Sequence, residues 1–111
     1  MKIDIKYNNI TSDNPLEIFV KEKIGALDKY LKGGQTIEAR VEIGKPSKHH
    51  RSGAIFYAEA NLKIGGNLLR AEATREDIRT AIVDVKNELQ VQIQKLKEKH
   101  TDSPRQRGID N

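Results

Sequence analysis

Residues 69–100 read LRAEATREDIRTAIVDVKNELQVQIQKLKEKH, and this stretch decides the fold. Its first five residues alternate between apolar or small side chains and charged ones, which is typical of a half-buried strand. After Thr74 the period changes, and apolar residues recur at spacings of three and four. This spacing predicts an amphipathic helix over residues 75–100, with Thr74 as its N-cap. The apolar stripe consists of Ile78, Ile82, Val85, Leu89, Ile93 and Leu96.

The charges of this predicted helix are sorted by side. Successive residues are about 100° apart around a helix axis, so each side chain can be placed relative to the apolar stripe. The sorting is either a chance property of a solvated face or a basic edge presented to a polyanion. One flank carries Arg75, Arg79, Lys86, Gln90 and Lys97, and the other carries Asp77, Asp84 and Glu88, joined late by Lys95 and Lys99.

Length and composition narrow the class of protein. A chain of 111 residues forms one domain with a single core of about two layers. The sequence has no cysteine, which excludes disulfides, a thiol nucleophile and a cysteine-based zinc site. No apolar run approaches the roughly 18 residues of a membrane span. The net charge of +4 favours an acidic partner, first nucleic acid and second an anionic membrane surface.

The rest of the chain gives the other elements. A half-buried strand comes first, followed by a helix that Asn14 caps, Pro15 opens and Gly33-Gly34 ends. Three more alternating strands lead to the long helix. The predicted ranges are 2–7 for strand one, 15–32 for the first helix, 36–44, 54–64 and 68–73 for strands two to four, 45–53 for a basic loop, 65–67 for a hairpin turn, and 101–111 for a flexible tail.

These elements predict an α+β fold of order β-α-β-β-β-α. Each strand and each helix has one apolar face, so a four-stranded sheet with both helices on one face buries all of them. The helical crossover makes strands one and two parallel, and strands two to four form a meander. This arrangement is similar to a double-stranded RNA-binding fold.

Two groups of cations are candidate phosphate contacts. Lys23 falls inside the apolar stripe of the first helix, so its stem covers the core while its head reaches water or the groove between the helices. Lys48 and Arg51 belong to the basic loop, which is either a solvated hairpin loop or a phosphate-binding one. The adjacent His49 and His50 in this loop lack a third ligand at convincing spacing, so no metal site is predicted.

The polar face of the sheet favours a structural interpretation. Four cations alternate there with four glutamates, and cross-strand pairing is the leading explanation. Tyr57 points to the same face and could stack on a base. No glycine-rich phosphate loop and no nucleophile–base set is present, so neither an enzyme nor a cofactor is predicted. The charged residues of this face are Lys6, Arg40, Lys63 and Arg70 with Glu38, Glu42, Glu59 and Glu72.

Four stretches of sequence carry a family resemblance. Leu69-Arg70-Ala71-Glu72 is followed by Glu76-Asp77-Ile78 and then by Ala81-Ile82, and the first helix contains Phe19-Val20-x-x-Lys23-Ile24-x-x-Leu27-Asp28-Lys29-Tyr30. In this order and topology, residues 1–100 resemble the ribosome hibernation-promoting and ribosome-associated inhibitor family.

The resemblance implies a partner and a mechanism. Family members bind the small ribosomal subunit in the channel between its head and body, where they block the tRNA sites and the mRNA path and silence idle ribosomes. The implied partner is ribosomal RNA, with no DNA, membrane or cofactor, and the implied location is the cytoplasm. Residues 1–100 would be the ribosome-binding domain. The chain looks like the short type of the family, without the C-terminal domain that pairs ribosomes.

The resemblance also bears on individual residues. Lys23, Arg70, Gln92, Lys95 and Lys97 match the family pattern. Basic positions of the family are occupied here by Ala26, Glu88 and Val91, and we expect cations along a shifted edge to compensate. The resulting set of RNA-binding candidates is Lys23, Lys48, Arg51, Arg70, Arg79, Lys86, Lys95, Lys97 and Lys99.

Two other functions stay open. A free-standing double-stranded RNA-binding module would share the α-β-β-β-α core and would hold any A-form helix of about 16 base pairs. A protein–protein adaptor would instead use the long helix, whose back carries Val83 and Val91. An RRM-type module is disfavoured, because the aromatic pair that it needs on its central strands is missing.

Overall fold

The computed structural model describes the backbone of residues 1–31, 37–46 and 55–106, and side chains as far as Glu98. Four strands and two α-helices follow one another in the predicted order, with a short 3-10 helix after the first α-helix. The elements are β1 Lys2–Asn8, α1 Asn14–Gly25, the 3-10 helix Ala26–Tyr30, β2 Ile37–Gly44, β3 Phe56–Ile64, β4 Asn67–Arg75 and α2 Ile78–Gln106.

The sheet has the order β1-β2-β3-β4. β1 is parallel to β2, with Ile5 opposite Val41, and the other neighbours are antiparallel. The tight connection between β3 and β4 consists of Gly65 and Gly66, because Asn67 already pairs with Ile64. Gly65 has a φ of 58°, a conformation that suits glycine. The predicted topology, including the parallel pair and the meander, is confirmed.

Both helices cover one face of the sheet and form the core with it. The inner face of the sheet is lined partly by alanines, which leave room for the helices to lie close. Among the described residues, no polar or charged residue is buried. Buried helix residues are Leu16, Val20, Ile24, Leu27, Ala81, Ile82, Val85, Leu89 and Ile93, and buried sheet residues are Ala39, Val41, Ile43, Ala58, Ala60, Leu62, Ile64 and Ala71.

The first helix differs from its prediction at both ends. Asp13, rather than Asn14, is the N-cap, since its carboxylate accepts a hydrogen bond of 2.7 Å from the backbone N–H of Leu16. After Gly25 the chain tightens into the 3-10 helix. At its end, the backbone N–H of Leu31 donates a hydrogen bond of 3.0 Å to the carbonyl of Asp28. Apolar spacing cannot separate the two helix types, because both bring residues three apart onto one side. The predicted end at Gly33-Gly34 lies outside the described residues.

The long helix begins later than predicted. β4 keeps pairing with β3 as far as Arg75, which lies opposite Phe56, so Thr74 is a strand residue and not the N-cap. Asp77 caps α2 instead: its carbonyl accepts from the N–H of Ala81 at 3.1 Å, and its carboxylate accepts from the N–H of Arg79 at 2.9 Å. The prediction was wrong because strand pairing extends beyond the alternating pattern of the sequence.

The other end of α2 also lies beyond the predicted one. The helix runs to Gln106, whereas the apolar stripe on which the prediction rested ends at Leu96. The remainder of the predicted tail, residues 107–111, lies outside the described residues. At about 1.5 Å per residue, the 29 residues of α2 span roughly 43 Å, and the molecule measures 57 × 28 × 18 Å.

Candidate nucleic-acid interface

The two flanks of α2 face different neighbours. The acidic flank faces β4, where Asp84 pairs with Arg75 at 2.8 Å and Gln92 donates to the backbone carbonyl of Arg70 at 2.9 Å. The basic flank begins at Arg79, which reaches α1. Arg75 therefore does not belong to the basic flank, as the sequence pattern suggested, because it is the last residue of β4. The sorting of charges by side follows the packing of α2 between β4 and α1.

The junction of α1 and α2 brings two candidate cations to one aromatic ring. The guanidinium carbon of Arg79 lies 4.7 Å from the ring centroid of Phe19, and the Nζ atom of Lys23 lies 5.5 Å from the same centroid. Both distances are within the range of a cation–π interaction. Lys23 is half-buried, so its stem covers the core while its charge sits at the junction of the helices.

The cations of this region have no acidic partner among the described side chains. A positive charge without a nearby carboxylate keeps its hydrogen-bond donors available for a phosphate. Among the described side chains, no carboxylate oxygen lies within 4.0 Å of the charged nitrogens of Lys23, Arg79, Lys86, Lys95 or Lys97.

The remaining cations of α2 extend the basic surface away from Phe19. Lys86 is half-buried and donates a hydrogen bond of 2.9 Å to Gln90 one turn later, on the flank of Arg79. Lys97 is exposed on that flank two turns beyond Gln90, and Lys95 is exposed on the other flank. The side chain of Lys99 lies outside the described residues. We name the set of Lys23, Arg79, Lys86 and Lys97 the basic edge.

Glu88 and Val91, the two α2 residues that replace basic positions of the family, both lie away from the basic edge. Glu88 accepts a hydrogen bond of 3.0 Å from Gln92, which also bonds β4, so this carboxylate helps to fix the acidic flank. Val91 is 42% exposed on the side of α2 that faces away from the sheet. Neither residue lies on the basic edge, so the two replacements leave its charge intact.

Arg70 lies apart from the basic edge. It is on the outer face of the sheet, where it pairs across strands with Glu59 at 2.8 Å and along β4 with Glu72 at 3.4 Å. The hydrogen bond that Arg70 donates to Glu59, together with the negative charge of both carboxylates, raises the pKa of Arg70 above its ordinary value. The cross-strand pairing predicted for this face is confirmed at Arg70.

A second polar network ties the outer face to the β1 edge. The hydroxyl of Tyr57 donates to a carboxylate oxygen of Glu42 and accepts from the side-chain amide of Asn8 at 2.8 Å. Burial, with the hydrogen bond to Glu42 as the next cause, raises the pKa of Tyr57. These two hydrogen bonds fix the position of the Tyr57 hydroxyl, whose partners could not be predicted from the sequence. Stacking of a base on the Tyr57 ring stays a prediction.

Two predicted loop residues, Lys48 and Arg51, lie outside the described residues, as do His49 and His50. Within residues 1–31, 37–46 and 55–98, no three side chains of histidine or carboxylate type are grouped as metal ligands. None of the described helices is long and apolar enough to cross a membrane. Phe19 is the residue that sequence reasoning missed, because it entered only as part of the first-helix motif and not as a partner of the cations.

Comparison with known proteins decides the family. The model of the family described as Sigma 54 modulation protein / S30EA ribosomal protein matches residues 3–101. The chain belongs to this family. The match includes the basic edge and all of the fold except the first residue of β1 and the last five residues of α2. The resemblance identified from the sequence motifs is confirmed.

Two curated members of the family illustrate the relationship. The chain is 30% identical over 105 residues to a ribosome hibernation promotion factor of Lactococcus lactis, and 26% identical over 108 residues to one of Staphylococcus aureus. These alignments cover 95% and 97% of this chain and 54% of each relative. The chain therefore spans about half the length of the curated relatives that it matches.

Two solved structures share the fold of this chain. The N-terminal domain of Thermus thermophilus Protein Y superposes with a TM-score of 0.73 at 23% identity, over 86% of this chain and 99% of that domain. A ribosomal subunit interface protein from Coxiella burnetii superposes with a TM-score of 0.70 at 16% identity, over 88% and 99% of the two chains. The chain thus shares its β-α-β-β-β-α arrangement with both solved structures.

Proposed function

We propose that this chain binds the small ribosomal subunit, in the channel between its head and body, and blocks the tRNA and mRNA sites of idle ribosomes. Family membership supports a ribosomal partner, and two relatives are named ribosome hibernation promotion factors. The observation that carries the proposal is the basic edge, whose cations have no carboxylate within 4.0 Å among the described side chains.

The proposed mechanism is electrostatic capture followed by steric occlusion. Each lysine or arginine that meets a phosphate releases condensed counterions, so affinity falls steeply as salt rises. Phosphate contacts orient a protein on RNA without reading base identity. Folded ribosomal RNA would supply the shape to which an elongated molecule of 57 × 28 × 18 Å fits. Binding alone produces the inhibition, and the proposal includes no catalysed reaction.

The test is co-sedimentation with purified small subunits at two salt concentrations, with and without bound tRNA. We expect saturable, salt-sensitive binding that tRNA displaces. Binding that tRNA leaves unchanged would move the site away from the decoding channel. Absence of subunit binding, with retained affinity for a plain RNA duplex, would replace the proposal with the free-standing duplex-binding module.

Charge reversal tests the basic edge. Arg79→Glu and Lys86→Glu should each weaken subunit binding by at least roughly tenfold, because each removes a phosphate contact and adds a repulsion. Lys63→Glu is the matched control, since Lys63 is exposed on the outer face of β3. Unchanged affinity for both reversals at the edge would refute its role. Loss of binding on Val91→Ser instead would favour the protein–protein adaptor.

A further inference from the structure

One aromatic ring at the junction of the helices holds two charges that arise from different elements. Phe19 and Lys23 are one turn apart on α1, while Arg79 belongs to the first turn of α2. The two cationic groups lie 5.5 Å and 4.7 Å from the centroid of the Phe19 ring. The ring is half-buried and packs against the core, so its position is fixed by the fold.

The closeness of these two charges needs an explanation. Lys23 and Arg79 can be no further apart than about 10 Å, the sum of their distances to the ring centroid. Even at this upper limit, which is close to the Debye length of about 8 Å at physiological salt, screening weakens the repulsion between the two charges without abolishing it. No described carboxylate within 4.0 Å neutralises either charge. The negative face of the aromatic ring is the attractive partner that both cations share.

An aromatic partner leaves the N–H donors of a cation available, whereas an acidic partner does not. A carboxylate would occupy the N–H donors of lysine and arginine, whereas a ring face attracts the charge and leaves donors at the periphery free. Holding long side chains in place before binding also reduces the rotamer entropy lost when they meet a ligand. A pair of oriented cations with free donors is therefore prepared for an anion.

We propose that Phe19 is a positioning residue, which holds Lys23 and Arg79 ready for phosphate groups of an RNA backbone at the α1–α2 junction. This inference rests on the proposed function and deepens it. A phosphodiester backbone fits because it offers successive anionic groups, and the rest of the basic edge continues along α2 from the same point. Phe19 itself makes no contact with RNA in this scheme.

The first test measures positioning in the free protein. Proton NMR shifts of the Lys23 and Arg79 side chains should be displaced by the ring current of Phe19. Phe19→Leu should return them to the values of mobile side chains, and Phe19→Trp should keep them displaced. Undisplaced shifts in the unsubstituted protein would overturn the inference, whether or not the protein binds ribosomes.

The second test measures the consequence for binding. We expect Phe19→Leu to weaken affinity for purified small subunits roughly 5- to 20-fold, while Phe19→Trp stays within roughly threefold of the unsubstituted protein. The dependence of log affinity on log salt should keep its slope in Phe19→Leu, because both cations remain. Lys23→Met and Arg79→Met should each lower that slope by about one contact.

Phe19→Leu in a protein that already lacks both cations separates the positioning role of Phe19 from its packing role. In the Lys23→Met/Arg79→Met background, Phe19→Leu should cause no further loss of affinity, since no cations remain to be held. A loss that persists in this background, or unchanged affinity in Phe19→Leu alone, would overturn the inference. Melting temperatures of all variants identify any that fold poorly. Absence of subunit binding by the unsubstituted protein would instead overturn the proposed function, and the NMR test would still decide the positioning role.

Discussion

Gly25→Ala should stabilise the protein. Gly25 ends α1 with φ −63° and ψ −26°, a right-handed helical conformation that alanine adopts without strain. A Cβ atom at this position would lie 3.9 Å from the Cδ1 atom of Ile3, which is ordinary van der Waals contact. Alanine also restricts the unfolded chain more than glycine does, so the free energy of unfolding should rise by about 0.5–1 kcal/mol.

Urea unfolding followed by circular dichroism measures this change. A gain of that size corresponds to a melting temperature higher by roughly 2–4 °C in a domain of this length. The slope of the unfolding free energy against urea should stay constant, because the exposed surface is the same. A lower free energy of unfolding for Gly25→Ala would refute the reasoning, since it would mean that the α1–β1 contact has no room for a methyl group.

Two other glycines provide matched comparisons. A Cβ at Gly44 would meet the backbone carbonyl oxygen of Asn8 at 1.9 Å, so Gly44→Ala must push β1 away from β2. We expect a cost of about 1–3 kcal/mol or more. A Cβ at Gly66 would meet nothing within 4 Å, so Gly66→Ala should stay within about 0.5 kcal/mol of the unsubstituted protein. Similar effects at all three positions would show that intrinsic propensity, rather than local space, sets the outcome.

Three further predictions concern the cap, the core and a tyrosine. Asp77→Ala should lower the free energy of unfolding by about 1 kcal/mol through loss of the α2 cap, whereas Thr74→Ala should stay within about 0.5 kcal/mol; equal losses in urea titrations would contradict the assignment of the cap. Leu89→Ala should cost about 2–5 kcal/mol, because Leu89 is fully buried between α2 and the sheet, and a cost below about 1 kcal/mol would argue against this packing. Tyr57 has a pKa raised above the ordinary 10.0 by burial, so its stabilising contribution is complete below pH 10 and is lost as the pH rises through the raised value. Above pH 10, the melting temperature of the Tyr57→Phe variant should therefore fall less steeply with pH than that of the unsubstituted protein. Equal slopes for the two proteins would exclude this contribution of Tyr57.

The sequence predicted the elements and their pairing because both depend on local periodicity. Alternation in the strands and the stripe from Ile82 to Ile93 specify which faces are apolar, and short connections leave few topologies. Element ends were less predictable. Whether Thr74 caps a helix or pairs in a strand depends on Phe56 and Tyr57 in the neighbouring strand β3, which a local pattern does not contain.

The site divides in the same way. The basic flank of α2 could be predicted, since positions on one helix follow from spacing alone. Two other features depend on how the strands lie beside one another. Arg75 belongs to β4 and not to the basic flank, and Arg70 pairs with Glu59 on the neighbouring strand. The meeting of Lys23 and Arg79 at Phe19 joins residues far apart in the chain, so no local signal could have identified it.

The strand order has a consequence for how the sheet forms. From Ile37 onward, β2, β3, β4 and α2 each pack against the element next to them in the chain, so this part can assemble from local contacts. Among the described strands, β1 pairs only with β2, and the whole segment that contains α1 intervenes between them. Closing that longer loop costs chain entropy before its contacts are gained. We expect the meander and α2 to form the folding nucleus, with β1 joining the sheet last.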